Sequence, residues 1–132
     1  MNRFSVFLID DSAEDTELTL RTLRGSPHIS NIFSFRDAEE ALDTLLVHPG
    51  NGNFPGLIFL DMNMPRMNGL EFVRRIKAQE RTKDIPVAIL TSSTELPDIR
   101  ETMKLGVKHF IAKPIDEEDI ENIVTEIGNR EN

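Results

Sequence analysis

Short apolar runs alternate with amphipathic stretches along this chain, and the alternation repeats five times. Phe4 to Ile9 is a run of β-forming type that ends abruptly at Asp10-Asp11. Ser12 then offers an N-cap, Asp15 favours the positive first turn, and Leu20 and Leu23 with Thr16 form the apolar face of a first helix. Gly25-Ser26-Pro27 stops it. Ile29 to Phe35 predicts a second strand, after which Asp37 caps a helix carrying Ala38, Ala41, Leu42 and Leu45. The stretch from His48 to Gly56 is rich in turn formers and reads as a loop, too short to link domains. Leu57-Ile58-Phe59-Leu60 is apolar without alternation, which predicts a strand covered on both faces, and it ends at Asp61. Gly69 to Gln79 predicts a third helix with Leu70, Val73 and Ile76 or Phe72 inward. Ile85 to Leu90 predicts the fourth strand, ending at Thr91, and Pro97 opens a helix that Gly106 closes. His109 to Ala112 is a short fifth strand before Lys113-Pro114. Asp116 to Ile127 is the last helix, with Ile120, Ile123, Val124 and Ile127 as its buried stripe.

Strand–helix alternation of this kind implies an α/β fold, a doubly wound parallel sheet with helices on both faces and right-handed crossovers. At 132 residues the chain is expected to form one domain, residues 1–132. No run approaches the roughly 18 apolar residues of a membrane span, and the N-terminus lacks the apolar region and cleavage site of a signal peptide. With no cysteine, disulfides, thiolate metal sites and cysteine nucleophiles are excluded. A net charge of −8 argues against nonspecific binding to nucleic acid or anionic lipid. The expectation is a cytoplasmic, acidic domain with no direct nucleic-acid or membrane partner.

The chemistry lies where the strands end. Asp10 and Asp11 follow the first strand, Asp61 the third, Thr91 the fourth and Lys113 the fifth. Ligands of an open parallel sheet bind outside the carboxyl ends of the strands, where the strand order reverses. If the first and third strands flank that point, three carboxylates meet in one crevice and repel one another. A hard divalent cation resolves the repulsion, and an all-oxygen donor set suits Mg²⁺. Beside it, the Lys113 ammonium and the Thr91 hydroxyl would cradle an added anion such as phosphate. Pro114 biases Lys113 towards extended backbone, which helps aim its side chain across the sheet edge. Acids after strands also serve as helix caps, and any one of these residues alone would favour that explanation. Paired Asp, Asp, Thr and Lys-Pro at four successive strand ends are more than capping accounts for.

Ile9-Asp10-Asp11-Ser12, Leu60-Asp61-Met62-Asn63-Met64-Pro65-Arg66-Met67-Asn68-Gly69, Leu90-Thr91-Ser92 and Ala112-Lys113-Pro114 resemble the four motifs of two-component response-regulator receiver domains. The resemblance runs over essentially the whole chain, with the motifs in order. Asp-Ser-Ala-Glu-Asp at 11–15 and the long loop before the third strand also resemble the stand-alone receivers that serve bacterial phytochromes. What the resemblance implies is specific. The fold would be the flavodoxin-like receiver fold, five strands in the order 2-1-3-4-5 with five helices. Asp61 would be the phosphoacceptor, with Mg²⁺ held by Asp11, by Asp10 largely through water, by Asp61 and by the Asn63 carbonyl. Lys113 would pair with the phosphoryl group and Thr91 would hydrogen-bond it, with small Ser92 leaving access. Pro114 would follow a cis peptide bond. Phe110 stands at the switch position, often tyrosine in this family, without a hydroxyl to offer a partner.

The function implied is phosphoryl transfer from a sensor histidine kinase or a histidine phosphotransfer protein onto Asp61, and switched binding of an output protein at the face of the fourth helix, fifth strand and fifth helix. Such a domain catalyses its own phosphorylation and dephosphorylation and is not a turnover enzyme. Two alternatives differ in class. One is a degenerate receiver acting as a constitutive interaction module, against which the full set of site residues argues. The other is an aspartyl-phosphate hydrolase of the haloacid dehalogenase type, whose Asp-x-Asp spacing is not met at Asp10-Asp11-Ser12. His28, His48 and His109 lack ligand spacing, Gly50-Asn51-Gly52 reads as a turn, and the acidic run at 116–119 reads as a solvated helix start. Met62, Met64 and Met67 are expected to pack around the site loop rather than bind copper.

Overall fold

The computed structural model describes residues 4–47, 55–62, 64, 67–91 and 96–130. Five strands and five helices alternate: β1 (Phe4–Ile9), α1 (Ala13–Arg24), β2 (Ile29–Phe35), α2 (Ala38–Val47), β3 (Leu57–Asp61), α3 (Gly69–Lys77), β4 (Val87–Thr91), α4 (Leu96–Lys104), β5 (His109–Ala112) and α5 (Glu117–Arg130). All strand pairs are parallel and the order is β2-β1-β3-β4-β5, as the receiver resemblance implied. The chain builds outward from β1 to the β2 edge, then returns to place β3 on the other side of β1. That reversal sets the crevice between the carboxyl ends of β1 and β3.

Alternate strand residues feed two separate cores, which is why β1, β3 and β4 carry unbroken apolar runs. Phe7, Ile9, Ile58, Leu60 and Ile89 pack with Ala41, Leu45, Phe72, Val73 and Ile76 on the face of α2 and α3. Val6, Leu8, Leu57, Phe59, Ala88 and Leu90 pack with Leu23, Ile120, Ile123 and Ile127 on the face of α1 and α5. Burying a residue of this kind is worth about 1.5–3 kcal/mol, so the central strands anchor the site from both sides.

Several boundaries differ from the sequence pattern for local reasons. β4 begins at Val87 rather than Ile85, because the Ile85 N–H turns back to the Thr82 carbonyl at 3.1 Å and Pro86 has no N–H to give. α3 ends at Lys77, with Ala78 as C-cap. α5 begins at Glu117 and runs to Arg130. Asp116 stands outside it in a reciprocal cap, its N–H donating to Asp119 Oδ2 at 3.0 Å while the Asp119 N–H donates to Asp116 Oδ1 at 2.9 Å. On α1 the buried hydroxyl residue is Thr19, not Thr16. Gly106, closing α4, has φ +99, the one positive-φ glycine among the described residues. His48 and the turn at 50–52 lie outside the described residues.

Candidate functional site

The first βα turn places Asp10. Its carboxylate is fully buried, and Oδ1 accepts the Ser12 N–H at 2.9 Å. Ser12 caps α1 in turn, its side chain accepting the Asp15 N–H at 3.2 Å. The other oxygen, Asp10 Oδ2, is buried, accepts no hydrogen bond and lies 3.3 Å from Lys113 Nζ. That ion-pair contact gives it charge compensation without bond geometry. Asp61, the last residue of β3, is 5% exposed, and its Oδ1 is also 3.3 Å from Lys113 Nζ. Asp11 is half-buried beside them. One oxygen each from Asp10, Asp11 and Asp61 lies within 4.8 Å of the others. Carboxylates this close repel, and a buried one without a hydrogen bond calls for a positive charge. Three convergent carboxylates, with a buried oxygen of Asp10 that accepts no hydrogen bond, are the donor type that would suit a hard divalent cation such as Mg²⁺.

Lys113 reaches this group from the end of β5. Its backbone N–H donates to the Thr91 carbonyl at 3.1 Å, which extends the β4–β5 ladder, and the Lys113–Pro114 peptide is cis. The ammonium touches three carboxylates: Asp15 Oδ2 at 3.1 Å, Asp10 Oδ2 at 3.3 Å and Asp61 Oδ1 at 3.3 Å. Burial alone would push its pKa down. The hydrogen bond to Asp15 and the charges of Asp10, Asp61 and Asp15 outweigh that, and the net shift is above the ordinary lysine range. Lys113 is therefore a fixed positive charge at every physiological pH.

The start of α3 is tied back to the end of β3. Asn68 caps α3 by accepting the Glu71 N–H at 3.0 Å, and the Gly69 N–H donates to the Met62 carbonyl at 3.1 Å. A Cβ at Gly69 would stand 2.8 Å from Met62 Cα and 3.0 Å from the Asp61 carbonyl, so only glycine closes this turn without displacement. Met62, Met64 and Met67 are buried in the core beneath the loop, as expected of packing residues. Thr91 is half-buried at the end of β4, one residue past Leu90, the register partner of Asp61. Phe110 pairs with Ile89 and packs half-buried against the core on the α2–α3 face. Asn63 and Ser92 lie outside the described residues.

The family model described as response regulator receiver domain matches residues 6–125. This chain belongs to that family. Among relatives, the receiver is 34% identical over 125 residues to the probable methanogenesis regulatory protein FilR2 of Methanothrix harundinacea, covering 94% of this chain and 81% of that one. Among solved structures it is similar to the bacteriophytochrome response regulator AtBRR, at 32% identity and TM-score 0.83, covering 97% of this chain and 94% of that one. It is similar also to the Mn²⁺-bound form of response regulator Rcp1, at 29% identity and TM-score 0.76, covering 94% and 91%.

In this receiver the residues singled out from the strand ends do converge: Asp10, Asp11, Asp61 and Lys113 form one contiguous group. Asp15 stands in the first turn of α1 as its sequence position predicts, but the sequence does not reveal that its carboxylate makes the shortest of the three contacts to Lys113. Its signal was positional, since the first turn of α1 begins at the carboxyl edge of the sheet. The described histidines face α5 instead, His28 Nε2 lying 3.0 Å from Glu121 Oε1 and His109 Nδ1 3.6 Å from Glu126 Oε2. Among the described residues no helix is long and apolar enough to cross a membrane.

Proposed function

We propose that this receiver takes a phosphoryl group onto Asp61 from a phosphohistidine of a sensor histidine kinase or a histidine phosphotransfer protein, in a Mg²⁺-dependent reaction. The observation that carries the reading is the arrangement of Asp61 within 4.8 Å of the Asp10 and Asp11 carboxylate oxygens and 3.3 Å from the Lys113 ammonium. An Asp61 carboxylate oxygen attacks phosphorus in line while the P–N bond to the donor imidazole breaks. The electron pair leaves on that nitrogen, and the histidine is released. Asp10, Asp11, Asp61 and the Asn63 carbonyl would hold the cation, which when bound supplies positive charge to the phosphoryl oxygens. Lys113 neutralises a second oxygen from the other side. The Thr91 hydroxyl hydrogen-bonds the phosphoryl group after transfer, and Ser92 leaves the approach open.

The arrival of up to two negative charges at Asp61 draws Thr91 inward. Phe110 on the neighbouring strand is the large side chain able to follow, and α4, β5 and α5 form the face that reports the change to an output protein. Residues 1–132 act in this reading as a single receiver domain, working in the cytoplasm and catalysing only its own phosphorylation and dephosphorylation. Incubation with Mg²⁺ and acetyl phosphate, followed by intact mass, tests it. A hydroxylamine-labile gain of one phosphoryl group that is lost in Asp61→Asn is expected. Phosphorylation of Asp61→Asn at the wild-type rate would overturn the assignment.

A further inference from the structure

Asp15 has no part in the transfer just described, yet its Oδ2 is the closest of the three carboxylate oxygens around Lys113 Nζ, at 3.1 Å. The two residues are 98 positions apart and meet only because α1 starts and β5 ends at the same edge of the sheet. Asp10 and Asp61 belong to the group of three carboxylates that can share a cation. Asp15 does not. Its backbone is fixed at the start of α1, where its N–H donates to the Ser12 side chain.

The difference matters when the site fills. A divalent cation held by Asp10 and Asp61 would compete for the charge those groups offer the ammonium and would add positive charge near it. The lysine stem is long and rich in rotamers. A cavity of about 330 Å³ is lined by Asp15, Leu18, Thr19, Lys113 and Pro114, so packing does not lock the Lys113 side chain on that side. Asp15 is the counter-charge that loading leaves in place. We infer that Asp15 is a positioning residue, holding the Lys113 ammonium over the site while the cation and the phosphoryl group engage Asp10 and Asp61. This role rests on the proposed phosphoryl transfer to Asp61.

The test uses the full chain with Mg²⁺ and acetyl phosphate, comparing wild type, Asp15→Asn, Asp15→Glu and Lys113→Ala, with Asp15→Asn also combined with Lys113→Ala. Asp15→Asn is expected to slow phosphorylation roughly three- to fivefold, the range for one partly exposed charge-assisted contact, and Asp15→Glu to recover most of that loss. In the Lys113→Ala background the same substitution is expected to change the rate by less than about twofold, because the two residues act as a unit. A second readout needs no turnover. In ¹⁵N-lysine-labelled, Mg²⁺-loaded protein, the Lys113 ammonium resonance should be observable in wild type and shifted or exchange-broadened in Asp15→Asn. An unchanged rate and an unchanged resonance in Asp15→Asn would overturn the role, as would an equal loss with and without Lys113. If Lys113→Ala slows phosphorylation and Asp15→Asn does not, only the role of Asp15 falls. If Lys113→Ala and Asp61→Asn both react like wild type, the phosphoryl-transfer reading itself falls.

Discussion

Gly69 donates its N–H to the Met62 carbonyl at 3.1 Å, and a methyl group on its α-carbon would sit 2.8 Å from Met62 Cα. That contact ties the start of α3 to the end of β3. Gly69→Ala is expected to destabilise the fold by about 1–3 kcal/mol, since Met62 Sδ can move aside but the Met62 Cα and Asp61 carbonyl are backbone and cannot rotate away. Urea denaturation checks this. A midpoint equal to wild type would show that the loop relaxes freely.

The crowding of Asp10, Asp11 and Asp61 has a thermodynamic signature. Without a cation their repulsion is only partly offset by Lys113. Asp11→Ala removes one charge from a half-buried position, so it is expected to raise the melting temperature in metal-free buffer. It should also abolish the stabilisation that added Mg²⁺ confers on wild type. Thermal melts with EDTA and with saturating Mg²⁺ measure both effects. Equal Mg²⁺-induced shifts in the two proteins would contradict the proposed ligand set.

Lys113 makes an opposite prediction about pH. Its folded-state pKa is raised, by Asp15, Asp10 and Asp61 acting against burial, so the native state holds this proton more tightly than the unfolded chain. The stability it contributes is fully present below the unfolded value of about 10.4 and is lost as pH rises through the folded value. Lys113→Met should therefore be less stable than wild type in metal-free buffer by roughly 1–3 kcal/mol, the cost of leaving buried carboxylates unpaired. Denaturation titrations should show a gap that is flat from about pH 6 to 9 and closes only above about pH 10. A gap that closes already near neutrality would mean that another group carries it.

Phe110 bears on the readout. It packs half-buried against the core beside Ile89, at the strand next to Thr91. Phosphorylation, or a beryllofluoride mimic on Asp61, is expected to shift amide resonances along α4, β5 and α5, with a coupling to partner binding of about 1–3 kcal/mol. Since the ring lacks a hydroxyl, packing must carry the signal. Phe110→Tyr should retain the shift pattern and Phe110→Ala should weaken it. Shifts confined to the loops around Asp61 would show that the output face is elsewhere.

The periodicity of the chain, by itself, determined the five strand–helix units, because short β-forming runs, unbroken and apolar at β3 and mixed at the β2 edge, were each followed by an amphipathic stretch. It also determined which residues stand at the strand ends, and with them the carboxylates, the lysine and the threonine of the site. Local hydrogen bonding then moved the boundaries. The turn from Thr82 to Ile85 delays β4, and the reciprocal cap of Asp116 and Asp119 holds the first acid out of α5. What only the tertiary structure decided is who shares the ammonium. Asp15 looks like any first-turn acid in sequence, since the dipole of its own helix is sufficient reason for its charge. Its contact with Lys113 exists because the all-parallel sheet puts the carboxyl ends of β1 and β5 on one rim, and no local pattern encodes a distance of 3.1 Å between groups 98 residues apart in the chain.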